Sequence, residues 1–146
     1  MNSITVSVIV PCYNEESTIQ ELLSAIHAQS YTLEKLEVVI ADGMSTDRTR
    51  ERINEFKERH PELAIRVVQN KKRTIPAALN QAIDDSRGEV ITRMDAHAIP
   101  ATDYIEKSVA ALEAGRGSNV GGVIDIHPGE NNWIGTSISI ATAHPL

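Results

Sequence analysis

With one cysteine, one phenylalanine and one tryptophan in 146 residues, this chain has little of what staples or bulks out a small protein. Cys12 has no partner for an internal disulfide, so the fold rests on packing and is compatible with a reducing compartment. At 3% aromatic content, the core has to come from Ile, Leu, Val and Ala. Basic residues are not in excess: 14 Lys and Arg stand against 20 Asp and Glu, a net charge of −6. That balance excludes the basic face of a nucleic-acid binder. It also requires any anionic ligand to be held by a few local cations or a metal, against the overall field. The first five residues lack the basic segment and apolar stretch of a signal peptide. No apolar run approaches the roughly 18 residues that span a bilayer. The expectation is one soluble, cytoplasmic domain over residues 1–146, long enough to bury a single core.

What is present is an alternation. Residues 4–10 are almost all β-branched and lead to Pro11, as a buried strand does. Ile19, Leu22, Leu23 and Ile26 then recur at helical spacing, with Ser17 and Gln20 placed for a capping box. Strands are expected at 36–41, 65–68, 89–94 and 120–126. Helices are expected at 48–60 with Asp47 as N-cap, from Thr74 and Pro76 through 83 with Gly88 as the breaker, and from Thr102 through Leu112 with Gly115 behind. Strand and helix in turn imply an α/β fold: a mostly parallel, Rossmann-like sheet flanked by helices. The last stretch, 133–146, is apolar and reads as a helix without a covering element, a surface suited to self-association. On this reading the architecture is incomplete at its carboxyl end.

Four polar clusters each follow an apolar run: residues 11–15, 42–47, 70–73 and 95–97. In a parallel sheet all four converge outside the carboxyl ends of the strands, where open α/β sheets bind ligands. Glu15 and Asp42 accept hydrogen bonds only, which suits an imide N–H or a ribose diol. Taken singly, Glu15 is also a first-turn helix residue, Asp42 a turn former before Gly43 and Asp47 an N-cap. Asp95 and His97, two apart, face one way if the segment stays extended and could share a divalent cation, Mn²⁺ or Mg²⁺. Their ordinary reading is a strand-terminal Asp and a solvent-facing His, and Arg93 reads as an edge residue. Lys71, Lys72 and Arg73 precede a helix N-terminus, with Arg73 best placed for a phosphate; a solvated basic run is the alternative. Cys12 reads as a packing residue. His27, His60, His127 and His144 show no ligand spacing and are read as structural.

Val-Ile-Val-Pro-Cys-Tyr-Asn-Glu-Glu (8–16), Ala-Asp-Gly-Met-Ser-Thr-Asp-Arg-Thr (41–49) and Arg-Met-Asp-Ala-His-Ala (93–98) resemble the inverting family 2 glycosyltransferases of GT-A fold, in order and spacing as well as locally. The bacterial succinoglycan and exopolysaccharide transferases are the nearest likeness, with Asp-Ala-His in place of the usual Asp-x-Asp. The resemblance implies transfer of a sugar, with inversion, from a nucleotide-diphosphate donor such as a UDP-sugar to a polysaccharide or lipid-linked acceptor. It implies that Pro11, Tyr13 and Glu15 line the nucleoside pocket, that Asp42 contacts the base, that Asp95 meets the sugar or ribose side and that His97 ligates the metal. It also implies a place at the inner face of the membrane, since relatives carry later transmembrane helices.

Family members supply a general base from further along the chain. Here Asp103, Glu106, Glu113, Asp125 and Glu130 stand in no recognisable base motif, so the expectation is a nucleotide-sugar-binding half whose catalytic base is absent. A sugar-phosphate nucleotidyltransferase would want a glycine-rich loop after the first strand, and residues 11–16 contain no glycine. A receiver-like signalling domain would want an acceptor Asp after the third strand and a Lys after the fifth, and neither is there. An inactive assembly module would act through residues 133–146.

Overall fold

The computed structural model describes residues 6–122 and 132–143. Four strands, β1 (Val6–Cys12), β2 (Leu36–Asp42), β3 (Ala64–Gln69) and β4 (Val90–Arg93), form one parallel sheet in the order β3-β2-β1-β4. Helices α1 (Ile19–His27), α2 (Thr49–Arg59), α3 (Ile75–Asp85) and α4 (Tyr104–Glu113) follow the strands in turn, and α5 (Trp133–Ala143) comes last. A short 3₁₀ turn, Leu33–Lys35, leads into β2.

The two-residue period of the strands divides the core. Val6, Val8, Val10 and Cys12 of β1 and Leu36, Val38 and Ile40 of β2 meet Ile19, Leu22, Leu23 and Ile26 of α1, Ile53 and Phe56 of α2, and Ile105 and Val109 of α4. The opposite faces of those strands present Ile9, Val39 and Ala41 to α3, which answers with Ala78 and Ala82. Among the described residues, α1, α2 and α4 therefore pack on one face and alanine-lined α3 on the other.

One expectation concerning β1 changes. The strand does not stop at Pro11 but runs through it to Cys12, with Pro11 opposite Ala41 and Cys12 opposite Asp42. Proline is tolerated because β4 has already ended: its last partner is Arg93, opposite Ile9, so Pro11 faces β2 on one side only and no ladder bond is lost. Other boundaries move by a residue or two. Thr18, not Ser17, precedes α1, and no capping box forms; Thr18 donates instead to Glu15, and Gln20 reaches the Arg52 carbonyl and Glu55. Arg48 takes the cap position of α2, while Asp47 one residue earlier still accepts the Thr49 N–H at 3.0 Å. Asp103 caps α4. Gly115 adopts φ +66°, as a helix-terminating glycine does. Gly88 serves another purpose than breaking α3. A Cβ there would lie 2.6 Å from the Ser7 nitrogen, so this glycine permits close approach to β1. The fifth strand expected at 120–126 is not seen at 120–122, which carry no regular structure, and the rest of it lies outside the described residues. Trp133, Ile134 and Ile140 of α5 are exposed.

At the amino edge of the sheet, a buried polar network replaces apolar packing on the α3 face. Glu37 of β2 is 1% exposed and accepts from Ser7 Oγ of β1 at 2.6 Å and from the Arg87 amide at 2.6 Å. Arg66 of β3 reaches it at 2.9 Å and continues to Asp85 at 3.0 Å, while the Gly88 amide donates to Ser7 Oγ. Burial alone would raise the Glu37 carboxyl; Ser7, the Arg87 amide and Arg66 outweigh it and hold the group below its ordinary 4.5. Its stabilising contribution is therefore complete above that value and lost as pH falls through the lower, folded one. Glu37→Gln should cost about 2–3 kcal/mol at neutral pH, measured by urea unfolding. The gap to the parent should narrow below pH 4.5; an unchanged gap would remove Glu37 from the acid response.

Candidate functional site

Past the carboxyl ends of the strands, the loops after β1 and β2 are laced together. The Asn14 amide donates to Ser45 Oγ at 2.9 Å and the Thr46 amide to Asn14 Oδ1 at 2.9 Å. The Glu15 amide donates to Thr49 Oγ1 at 2.8 Å, and the Arg48 amide to Glu16 at 2.8 Å. Each loop satisfies the other's backbone, which fixes Tyr13 and Glu15 relative to β2. After β3, buried Asn70 does the same work alone. Its amide donates to the Asp42 carbonyl, its side chain donates to the Thr74 carbonyl, and its own carbonyl accepts from Arg73. Three non-glycine residues take positive φ among the described residues: Asn14 (53°), Met44 (65°) and Arg73 (53°). One lies in each of these three loops. Left-handed backbone is disfavoured for side chains other than Asn and Asp, and such strain concentrates at ligand sites.

The loops enclose a cavity of about 340 Å³. Pro11, Cys12, Tyr13 and Glu15 supply one wall; Asn70, Arg73, Thr74, Ile75 and Ala78 supply another; Arg93, Asp95, Ala96 and His97 close it. Pro11, Tyr13, Glu15, Arg73, Asp95 and His97, all singled out from sequence, thus come together. Tyr13 packs beside Gly43, where a Cβ would come to 3.3 Å from its ring. Arg73 is the only one of the three consecutive basic residues on the lining, and among the described residues no carboxylate lies within 4.0 Å of it. The cation stands at the first turn of α3, where partial positive charge already favours an anion. A larger groove of about 600 Å³ runs along β4 beside α4, with Arg93 on the lining of both.

Two placements differ from the sequence reading. Segment 95–98 is not extended: the Ala98 amide closes a turn on the Asp95 carbonyl at 2.9 Å. Asp95 and His97 consequently have different partners, Asp95 binding Arg93 through both Nε (3.1 Å) and Nη2 (2.9 Å) and His97 Nδ1 lying 3.6 Å from Glu15. Asp42 lies beneath the cavity rather than on it. It is fully buried, accepts from the Ser45 amide and hydroxyl, and pairs with Arg50 Nε at 2.5 Å. Arg50 escaped the sequence reading, which placed Asn70 in a polar cluster without a role of its own. Arg93 was read as an edge residue, yet it borders the cavity and restrains Asp95. Asn70 sits beside the basic run and gives no signal of its own.

The profile of the family described as Glycosyl transferase family 2 matches residues 7–144. The chain belongs to that family, and its sheet and flanking helices are those of GT-A glycosyltransferases. It is 32% identical over 125 residues to the dolichyl N-acetyl-alpha-D-glucosaminyl phosphate 3-beta-D-2,3-diacetamido-2,3-dideoxy-beta-D-glucuronosyltransferase of Methanococcus voltae, covering 82% of this chain and 39% of that protein. It is 36% identical over 116 residues to the succinoglycan biosynthesis protein ExoA of Rhizobium meliloti, covering 77% of this chain and 34% of that one. Among solved structures, the mannosyltransferase PcManGT of Pyrobaculum calidifontis, in complex with GDP-Man and Mn²⁺, superposes with a TM-score of 0.70 at 41% identity, over 73% of this chain and 32% of that one. The chain thus spans between a third and two fifths of the length of these two curated relatives. Among the described residues, no helix is long and apolar enough to cross a membrane.

Cys12 borders the cavity but is poised against reaction. Burial first, then the negative charges of Asp42, Glu15 and Asp47, push its thiol up to about 12. In the folded protein at pH 8 it should resist iodoacetamide, and in urea it should alkylate fully, as followed by mass spectrometry; rapid native alkylation would mean that the negative surroundings do not act on it.

Proposed function

We propose that this chain is the donor-binding part of a glycosyltransferase, taking a nucleotide-diphosphate sugar, a UDP-sugar, for inverting transfer to a saccharide or lipid-linked acceptor. The observation that carries this reading is the convergence of Tyr13, Glu15, Arg73, Asp95 and His97 on one cavity at the carboxyl edge of the sheet. In this reading Pro11 and Tyr13 bound the nucleoside, Glu15 accepts from its ring or ribose, and Arg73 with the first turn of α3 receives the diphosphate. Asp42 acts on the base from below, through the Gly43 turn and Arg50, or by exchanging Arg50 for the ring N–H.

A divalent cation fits the remaining groups. Asp95 offers oxygen and His97 imidazole nitrogen on the same wall, both partly exposed, a donor set suited to Mn²⁺ and tolerant of Mg²⁺. Such an ion neutralises a diphosphate and stabilises it as a leaving group. Asp95 must give up Arg93 to hold it, which frees the guanidinium for a phosphate oxygen. The carboxylates that border the cavity, Glu15 and Asp95, are occupied by His97 and Arg93, and neither is assigned the task of deprotonating an acceptor. Acceptor, linkage and turnover therefore belong to the whole protein. The relatives' names support an acceptor that is a glycan or a lipid-linked sugar.

Calorimetric titration with UDP, with and without Mn²⁺, tests the reading. Binding should strengthen with the metal. Arg73→Ala should weaken it about 10–100-fold, as loss of a charge-assisted contact does. Asp95→Ala and His97→Ala should abolish the metal dependence. Tighter binding of GDP would move the base assignment to guanine, which also presents a ring N–H. A folded protein that binds neither nucleotide would overturn the proposal.

A further inference from the structure

At the opposite, amino edge of the sheet, α1 and α2 end side by side and bring two histidines together. His27 is the last residue of α1 and His60 the C-cap of α2, 33 positions apart in sequence, which is why spacing showed no relation between them. Sequence reading took them as structural; the fold brings the two side by side. Their rings lie 4.4 Å apart, and buried Phe56 supports both, 4.4 Å from His60 and edge-on to His27 at 6.4 Å. Glu62, on the approach to β3, aims one oxygen at both rings: 2.6 Å to His27 Nε2 and 3.4 Å to His60 Nδ1. Among the described residues, this trio has its ligand atoms within 4.8 Å of one another.

We propose that His27, His60 and Glu62 form a zinc site, separate from the carboxyl-edge cavity and independent of the function proposed for it. Two imidazoles and one carboxylate, with solvent free to supply a fourth ligand, are a set that zinc accepts and that hard ions such as Mg²⁺ do not prefer. Ligand atoms about 2.0–2.1 Å from a tetrahedral ion stand roughly 3.4 Å apart. The Glu62–His60 separation already matches, and the Glu62–His27 hydrogen bond has to open by less than about 1 Å as coordination replaces it. All three side chains are 30–49% exposed, so an ion arrives from water without local unfolding. The carbonyl ends of two helices add partial negative charge at the same place. The neighbouring cation, Arg59, lies 5.8 Å over the Phe56 ring, and its Nε is taken by the Glu55 carbonyl. A bound ion would tie the ends of α1 and α2 to the start of β3.

Zinc competition against a chromophoric chelator, on the full chain carrying His97→Ala so that the other cavity's imidazole is absent, tests the site. One zinc per chain is expected. His27→Gln or His60→Gln should weaken it by at least about tenfold, and the double variant should lose it. Zinc should raise the Tm of the parent and not of the double variant, whose metal-free melt shows that it is folded; Mg²⁺ should not compete. Equal zinc affinity in the double variant, or no zinc captured by the parent, would overturn the proposal.

Discussion

The carboxylate of Glu37 is the point at which three strands and the approach to the fourth are held in common. It belongs to β2, takes a hydrogen bond from Ser7 of β1, an ion pair from Arg66 of β3 and an amide from Arg87 at the approach to β4. An isolated charge in that position would be untenable, because burial strips its hydration and returns nothing. With these donors in place it becomes a register pin. Sliding any strand by one residue would separate a donor from the carboxylate and also turn that strand's apolar side chains to the wrong face. The ligand edge lies at the other end of the same strands, so the alignment of the four loops there is inherited from this anchor.

That inheritance explains how a cavity forms from residues so far apart. β1 outruns β4, which leaves a notch beyond Ile9, and the turn carrying Asp95 and His97 folds across it. Asn14 and Ser45 tie the first wall to the loop after β2, and Asn70 sets the second wall. Of the charged groups inside, Asp95 pairs with Arg93 and Glu15 with His97, while Arg73 has no carboxylate partner among the described residues. In the proposed reading, a protein with a net charge of −6 presents a site to an anion through Arg73, and through a cation that draws the carboxylates away from their partners.

Much of this was legible before any coordinates. Period-two apolar runs and period-3.6 helices declare an α/β sheet, and a polar cluster after each run declares which edge matters, because both signals are local. Arg73 could be separated from Lys71 and Lys72 only through its nearness to the helix start. What escaped was long-range. Asp42 read as a ligand carboxylate or a turn former because nothing near it in sequence announces that Arg50, eight positions on in the first turn of α2, will pair with it. The turn at Asp95 depends on a single backbone hydrogen bond, which a residue pattern does not encode. His27 and His60 meet only because two helices share a face of the sheet. Pro11 read as a stop because its fitness inside β1 depends on the length of a strand 80 residues away.

Helix α3 on the other face carries a further implication. Ala78 is both core and cavity wall: it packs on Ile9, Val39 and Ala41, and it also lines the space between Tyr13 and Arg73. An alanine there lets α3 lie close to the sheet and sets how deep a ligand can sink. Lineages of this fold could thus change the girth of what they admit by a methyl group or two at one apolar position, leaving every hydrogen-bonding residue in place. Selectivity would then drift with the packing distance of a helix, and comparison of the polar residues alone would miss it.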